Sequence, residues 1–171
     1  GNAPKASPED VSKALQSAEN GLNIWKNTPA WERSYIIRRI ADRIREKKDV
    51  LAKWMALEVG KPLTEGLAEV NGSADIFEWN AEETKRIYGQ TVESRFEDTR
   101  VHVYYQPVGV VAALSPWNFP LVLSSRKIST ALAAGCSVII KPDVITPGVI
   151  MELVDICLSL IHISEPTRRP K

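Results

Sequence analysis

Two short segments of this 171-residue sequence place polar side chains directly after apolar runs. The first, Ser115-Pro116-Trp117-Asn118-Phe119-Pro120, follows a valine-rich run over 108–114, and the second, Lys141-Pro142, follows an apolar run over 137–141. If both runs are neighbouring parallel strands, their carboxyl ends lie at one edge of a sheet, which is where open parallel sheets bind ligands. Asn118 and Lys141 would then present an amide and an ammonium group to one crevice.

The elements around these segments predict a strand–helix–strand–helix unit. The run over 108–114 is bounded by prolines and has the composition of a strand buried on both faces. Residues 121–134 predict a helix, and Thr146-Pro147 predicts the start of another. A helix between two strands implies parallel pairing with a right-handed crossover. Because neither strand is followed by a glycine-rich turn, the pattern indicates a partial nucleotide-binding fold without the usual phosphate-binding loop.

Residues 8–88 have the periodicity of four helices. Ser7-Pro8 predicts the start of the first helix, Gly60-Lys61-Pro62 predicts the end of the third, and the fourth is predicted over 63–88. The spacing assigns these residues to the buried faces: Val11, Ala14, Leu15, Ala18, Leu22 and Trp25 in the first helix, Trp31, Tyr35, Ile37, Ile40, Ala41 and Ile44 in the second, Leu51, Trp54 and Met55 in the third, and Leu67, Val70, Ala74, Phe77 and Ala81 in the fourth. Residues 90–106 then alternate as a β-hairpin, in which His102 is expected at the surface.

The composition excludes several classes of protein. Lys and Arg number 22 against 21 Asp and Glu, and this net charge of +1 gives no electrostatic reason to expect nucleic acid or an anionic membrane as a partner. No apolar run could span a bilayer and no signal peptide opens the chain, so we expect a cytoplasmic globular protein. With two cysteines and two histidines, we expect neither a disulfide framework nor a metal site.

Several ordered motifs resemble the NAD(P)-dependent aldehyde dehydrogenase superfamily. They are Pro107-Val108-Gly109-Val110-Val111-Ala112, Pro116-Trp117-Asn118-Phe119-Pro120, Ala133-Ala134-Gly135-Cys136, Lys141-Pro142 and Thr146-Pro147. Glu58-Val59-Gly60-Lys61-Pro62 and Lys85-Arg86-Ile87-Tyr88-Gly89 also match, and they favour the succinate-semialdehyde dehydrogenase branch. The resemblance covers about residues 4–158. It implies an incomplete α/β fold of N-terminal helices, an oligomerisation hairpin at 90–106, and the first strand–helix–strand–helix of a Rossmann-like sheet at 108–158.

The resemblance assigns catalytic and substrate-binding roles to two residues. In that family a cysteine thiolate attacks the aldehyde and a glutamate activates water to release the acid. Asn118 matches the asparagine whose side-chain amide donates to the oxyanion. Arg126 matches an arginine that receives the distal carboxylate of a semialdehyde, although it could equally be a helix-face arginine paired with an acid.

The resemblance also implies a cofactor, NAD or NADP. Ser115 and Trp117 would line its path, and Lys141 would hydrogen-bond the adenosine ribose. Where many NAD-preferring relatives have a glutamate, this chain has Val144, which would not repel a 2′-phosphate. We therefore expect NADP to be accepted at least as well as NAD, with Asp143 solvated on the loop.

The family's nucleophilic cysteine and general-base glutamate lie downstream of the second crossover helix, so this chain is expected to lack both and to be inactive alone. Cys136 and Cys157 are expected to be packing residues. Residues 159–171 depart from the family pattern and resemble a translated sequencing-adaptor peptide. They are therefore left out of the fold prediction, and His162 among them is given no role.

Three classes of function remain open at this point. The resemblance favours the N-terminal part of a homo-oligomeric oxidoreductase, dimeric or tetrameric, that converts an aldehyde such as succinate semialdehyde to the carboxylic acid. A non-catalytic protein could instead use the four helices as an interaction module. A different nucleotide-binding protein could have the same opening strands.

Overall fold

A computed structural model describes residues 5–161 of the chain. In this part the elements run in the order α1 (Pro8–Trp25), α2 (Ala30–Glu46), α3 (Lys48–Val59), α4 (Leu63–Thr84), β1 (Gln90–Glu93), β2 (Arg100–Val103), β3 (Val110–Leu114), α5 (Pro120–Ala133), β4 (Ser137–Lys141) and α6 (Pro147–Ile161). The predicted α/β class and the predicted order of elements are both confirmed. No helix among these residues is both long and apolar enough to cross a membrane.

The local signals at helix ends predicted most boundaries correctly. The Ser7 hydroxyl accepts a hydrogen bond from the Asp10 amide at 3.2 Å, while the Asp10 carboxylate accepts one from the Ser7 amide at 2.9 Å. This reciprocal pair is a capping box, and it fixes the start of α1. Gly60 ends α3 with φ of 67°, in the left-handed region that favours glycine. Helix α4, however, ends at Thr84 and not at residue 88, because the Arg86 amide bonds three residues back to the Glu83 carbonyl.

The buried face of α4 was predicted correctly, and α4 packs against α2, α3 and α5. Val70, Ala74, Phe77 and Ala81 are completely buried in one apolar core that also takes in residues of α2, α3, α5 and α6. Leu67 is half-buried. Helix α4 is therefore the centre of the helical layer, and it faces the crossover helix α5.

The predicted faces of α1 and α2 were partly wrong. In α2, Trp31 and Tyr35 are 75% and 62% exposed, and Ile36 is buried in their place. The buried face of α2 centres on Ile37, and at about 100° per residue Trp31 and Tyr35 lie roughly 120° to 160° away from that centre. In α1 only Trp25 is buried, because this helix lies mainly against the strands β3 and β4, and Trp25 at its end reaches α5, where its indole donates a hydrogen bond to the Leu132 carbonyl at 2.9 Å.

The rest of the α1 stripe is at least partly exposed. Val11 and Leu15 are exposed, whereas Ala14 and Ala18 line an open apolar groove beside β4 and α6. In α3, Trp54 is also partly exposed, although Leu51 and Met55 are buried as predicted. Regular spacing alone therefore overestimated how much of α1 and α3 lies in the core.

The strands form two pairs within the described residues. Strands β1 and β2 pair antiparallel as the predicted hairpin, with Thr91 opposite His102, and both strands are exposed. Strands β3 and β4 pair in parallel, with Val110 opposite Ser137 and Leu114 opposite Lys141. The predicted crossover topology is confirmed.

Strand β3 was expected to be buried on both faces, and this was wrong. It begins at Val110, after Gly109 with φ of 121°, and only Ala113 in it is buried. Leu114 is 64% exposed because β3 pairs with β4 alone in the described part of the chain.

At the other end of the unit, α6 continues to Ile161, so residues 159–161 of the segment left out of the fold prediction are helical. The remainder of that segment, including His162, lies outside the described residues.

Candidate functional site

The carboxyl ends of β3 and β4 lie side by side, as the sequence predicted. Leu114 pairs with Lys141, and the Ser115 amide donates a hydrogen bond to the Lys141 carbonyl at 3.4 Å. The segment from Ser115 to Phe119 then leads directly into α5. Ser115 and Lys141 are thus adjacent at one edge of the sheet, and Asn118 lies three residues further along the same loop.

Two side chains at this edge have hydrogen-bonding capacity that the described residues do not use. The Ser115 hydroxyl is buried and has no hydrogen-bond partner in residues 5–161. Lys141 is exposed, and its ammonium makes no ion pair in that part of the chain. Five other buried side-chain atoms in residues 5–161 also lack a partner, so it is the position of Ser115 directly after β3, at the edge where open parallel sheets bind ligands, that fits a polar ligand.

The loop after β4 places Val144 in solvent and involves Asp143 in a turn. Val144 is 79% exposed. The Asp143 carboxylate accepts a hydrogen bond from the Ile145 amide at 3.0 Å, and the Asp143 carbonyl accepts one from the Thr146 amide at 3.2 Å. Asp143 is half-buried, and its carboxylate is hydrogen-bonded to the backbone of its own turn. It lies on the loop as expected, but it is only partly solvated.

Trp117, Asn118 and Phe119 are exposed on the loop between β3 and α5. The Asn118 side-chain amide makes no hydrogen bond within the described residues, whereas its backbone carbonyl accepts one from the Lys61 ammonium at 3.2 Å. The Lys61 ammonium also lies 4.2 Å from the centre of the Phe119 ring, a cation–π contact. Lys61 thus attaches the backbone of this loop to the helical layer, and the Asn118 side-chain amide remains available to bind a ligand.

Sequence reasoning missed the carboxylate that completes this arrangement, Glu69 of α4. Its side chain is only 2% exposed, and it forms an ion pair with Lys61, whose side chain is 9% exposed. The other oxygen of the Glu69 carboxylate accepts hydrogen bonds from the Leu121 and Val122 amides at 3.0 and 3.2 Å. These amides belong to the first turn of α5, which has no capping side chain of its own. Glu69 therefore does from 52 residues away what a local capping residue normally does.

A second long-range carboxylate caps α6. The two oxygens of Glu58 accept hydrogen bonds from the Gly148 amide at 2.5 Å and the Val149 amide at 3.1 Å. The free amides at a helix N-terminus are a common binding site for phosphate. Because Glu69 and Glu58 already occupy these amides in α5 and α6, neither helix can bind the phosphates of a dinucleotide in that way. This agrees with the lack of a glycine-rich turn after either strand.

Arg126 lies on the exposed face of α5. Its guanidinium makes no ion pair or hydrogen bond among residues 5–161, so the described part of the chain supplies no acid that pairs with it. The structure thus leaves it available to an anionic ligand. No contact in this part of the chain joins it to Asn118 or Lys141.

Both cysteines are free and buried, as the sequence predicted. Burial raises the pKa of the Cys157 thiol to about 12. Since the thiolate is the nucleophilic form, Cys157 is unreactive near neutral pH. Cys136 is 2% exposed at the junction of α5 and β4, in a packing position.

Comparison with known proteins identifies the family. The model of the aldehyde dehydrogenase family matches residues 1–160. The NADP⁺-dependent succinate-semialdehyde dehydrogenase of Escherichia coli is 40% identical over 158 residues, which are 92% of this chain and 33% of that protein. The 4-(hydroxymethyl)benzenesulfonate dehydrogenase of Comamonas testosteroni is 43% identical over 154 residues, 90% of this chain and 32% of that protein.

A solved structure agrees with these matches. The crystal structure of an NADP-dependent enzyme of Escherichia coli superimposes with a TM-score of 0.91 at 40% identity, covering 94% of this chain and 33% of that one. The chain belongs to the aldehyde dehydrogenase family. It spans about a third of the length of the relatives it matches. The resemblance inferred from the motifs and the predicted incomplete fold are confirmed.

Proposed function

We propose that this chain forms the N-terminal part of an enzyme that oxidises a semialdehyde to the carboxylic acid with NAD or NADP. The observation that carries the proposal is the sheet edge at Ser115, Asn118 and Lys141. There, a hydroxyl, an amide and an ammonium group adjoin the carboxyl ends of parallel strands and are not used by the described part of the protein. A ligand crevice at this position is the usual arrangement in open parallel sheets.

In this proposal Asn118 donates its side-chain amide to the oxyanion that forms when the aldehyde is attacked. A neutral amide stabilises the developing negative charge without transferring a proton, and its effect is greatest when it is held in place before the reaction begins. The attacking thiolate and the base that activates water would come from downstream sequence. On this view the 171-residue chain alone is inactive, because its two cysteines are buried.

Ser115, Trp117 and Lys141 would hold the cofactor. The Ser115 hydroxyl, which has no partner in the described part of the chain, and the Lys141 ammonium suit the hydroxyl groups of a ribose. The half-exposed Trp117 ring offers an apolar surface. When bound, the nicotinamide supplies the acceptor for the hydride. Since Glu69 and Glu58 occupy the helix N-termini, the phosphates would have to bind elsewhere. Val144 brings no negative charge to the site, which is compatible with a 2′-phosphate.

Arg126 would bind the anionic end of the substrate. The two relatives described above are named for a semialdehyde with a carboxylate and for a benzene derivative with a sulfonate, and both compounds therefore carry an anion. A planar guanidinium can bind either group with two hydrogen bonds. That no acid pairs with Arg126 in the described residues favours this role over an ordinary surface ion pair.

The hairpin at 90–106 is proposed as an oligomerisation arm of a homo-oligomer. Val92, Val101 and Val103 in its strands are exposed, as are Tyr104 and Tyr105 directly after its second strand. Such apolar exposure on a projecting hairpin favours burial against a partner chain. Deleting it from the full-length protein should lower the mass measured by light scattering. The cytoplasmic location expected from the sequence remains a prediction.

The test of the proposed function is Asn118→Ala in the full-length protein that contains this chain. We expect kcat to fall by about a hundredfold to a thousandfold, the usual effect of removing one oxyanion donor, with little change in aldehyde binding. Asn23→Ala, which changes an exposed asparagine of α1, is the matched control and should leave kcat unchanged. A kcat within threefold of wild type for Asn118→Ala would remove Asn118 from the mechanism.

A further inference from the structure

The backbone that carries Asn118 is attached to the helical layer by a buried ion pair. Lys61 follows the turn that ends α3, and Glu69 lies two turns into α4. Together they contact three consecutive parts of one segment: the Asn118 carbonyl, the Phe119 ring, and the first amides of α5.

The burial of this pair argues for a specific role. The Lys61 and Glu69 side chains are 9% and 2% exposed, whereas every other ion pair in the described residues has at least one side chain that is 36% exposed or more. Removing a charge pair from water costs free energy that its own attraction often fails to recover. A buried pair is therefore weak evidence for stability as such, and other uses must be considered.

The contacts made by the pair indicate its use. Glu69 fixes the direction in which α5 begins, since both of its amide bonds go to the first turn of that helix. Lys61 fixes the carbonyl of Asn118 itself. Because Lys61 fixes the Asn118 carbonyl and Glu69 fixes the start of α5, the backbone between them can move little, and the Asn118 side chain extends from this backbone.

We propose that Lys61 and Glu69 are positioning residues that hold the Asn118 amide in place for oxyanion stabilisation. This inference rests on the proposed function. A donor contributes most to catalysis when its orientation is set before charge develops, and a displacement of about 1 Å can cost about a hundredfold in rate. Lys61 and Glu69 act through Asn118 and do not themselves contact the reacting atoms.

A double-mutant cycle in the full-length enzyme tests the inference. The four proteins are wild type, Lys61→Met, Asn118→Ala and the double variant. Lys61→Met should lower kcat by about tenfold to a hundredfold when Asn118 is present, but by less than threefold when residue 118 is alanine, because there is then no amide to position. The dissociation constant for the cofactor should stay within threefold of wild type, since Lys61 contacts neither Ser115 nor Lys141.

A control and a substitute variant complete the design. Lys47→Met removes a different lysine–glutamate pair, with Glu152 of α6, and should leave kcat within threefold of wild type in both backgrounds. If Lys61→Met fails to fold, Glu69→Gln replaces it in the cycle. Glutamine keeps an oxygen that can accept from the α5 amides, but it loses the ion pair with Lys61.

The outcomes separate this inference from the proposed function. Equal losses of kcat from Lys61→Met in the two backgrounds would show a general structural role and overturn the inference, as would no loss in either. If Asn118→Ala alone left kcat within threefold of wild type, the oxyanion role would fail, and the positioning role would fail with it. A large effect of Asn118→Ala combined with an additive effect of Lys61→Met would refute only the positioning role.

Discussion

The cap that Glu58 places on α6 is open to a quantitative test with Glu58→Ala. This change removes both acceptors from the helix N-terminus, the one bonded to Gly148 at 2.5 Å and the one bonded to Val149 at 3.1 Å. Pro147 in the same turn has no amide hydrogen, so these are the first two donors of the helix. Removing the two Glu58 oxygens therefore leaves the Gly148 and Val149 amides without their acceptors.

The size of the effect follows from the contacts. Losing a helix cap costs about 0.5–2 kcal/mol, and hydrogen bonds to charged groups are worth about 1.5–3 kcal/mol each. Water replaces the carboxylate only in part, because the Trp54 ring covers Gly148 so closely that a Cβ on Gly148 would lie 2.7 Å from it. We therefore expect a loss of about 2–3 kcal/mol in the local stability of the first turn of α6. That corresponds to opening that is about 30-fold to 150-fold more frequent.

Hydrogen–deuterium exchange of the full-length protein measures this opening directly. Peptides covering 145–155 should exchange faster in Glu58→Ala by the factor above, while peptides from α2 should be unchanged. Glu65→Ala, which removes an exposed glutamate that makes no hydrogen bond or ion pair with its side chain in residues 5–161, is the matched control. Glu58→Gln keeps one acceptor and should fall between the two. Exchange in Glu58→Ala within threefold of wild type would refute the reasoning.

Three further changes test other parts of the chain in the full-length protein. Val144→Glu should shift specificity from NADP toward NAD by about tenfold to thirtyfold in kcat/KM, because the carboxylate would repel a 2′-phosphate. A wild-type enzyme that already prefers NAD over NADP by about a hundredfold would contradict the role given to Val144. Arg126→Ala should raise KM for a semialdehyde with a carboxylate and leave a neutral aliphatic aldehyde unaffected, so equal effects on both would exclude substrate binding. Lys85 and Arg38 hydrogen-bond Glu82 and lower its pKa from 4.5 to about 2, so this group stabilises the fold above pH 4.5 and its contribution is lost as the pH falls toward 2. Glu82→Gln should flatten the fall of the thermal midpoint between pH 4.5 and 2, and an unchanged slope would count against the assignment.

Much of the fold could be predicted because its signals are local. The capping residues Ser7 and Asp10 are three positions apart, and Gly60 acts within its own turn. The pairing of Leu114 with Lys141 followed from the crossover rule, which depends only on the order of elements. The edge of the sheet that carries Ser115 and Lys141 could therefore be predicted from the sequence alone.

The parts that could not be predicted depend on which elements pack together. Trp31 and Tyr35 fit an apolar stripe by spacing, but the direction of α2 relative to α4 decides which stripe is buried. Lys61 and Glu69 act on residues 57 and 52 positions away, and the sequence gives no local sign of such contacts. The one available hint was a glutamate within the otherwise apolar or small inner face of α4, beside Val70 and one turn before Ser73.

The long-range caps also determine how this chain can be recombined with its relatives. Each contact of Glu58, Lys61 and Glu69 joins a residue that precedes the hairpin at 90–106 in the sequence to a residue that follows it. The contacts link the helical layer to the starts of α5 and α6. A crossover point placed in that exposed hairpin would look harmless, yet it would separate every one of these donors from its acceptor. The segments 58–69, 118–122 and 147–149 should therefore come from one parent in a working chimera.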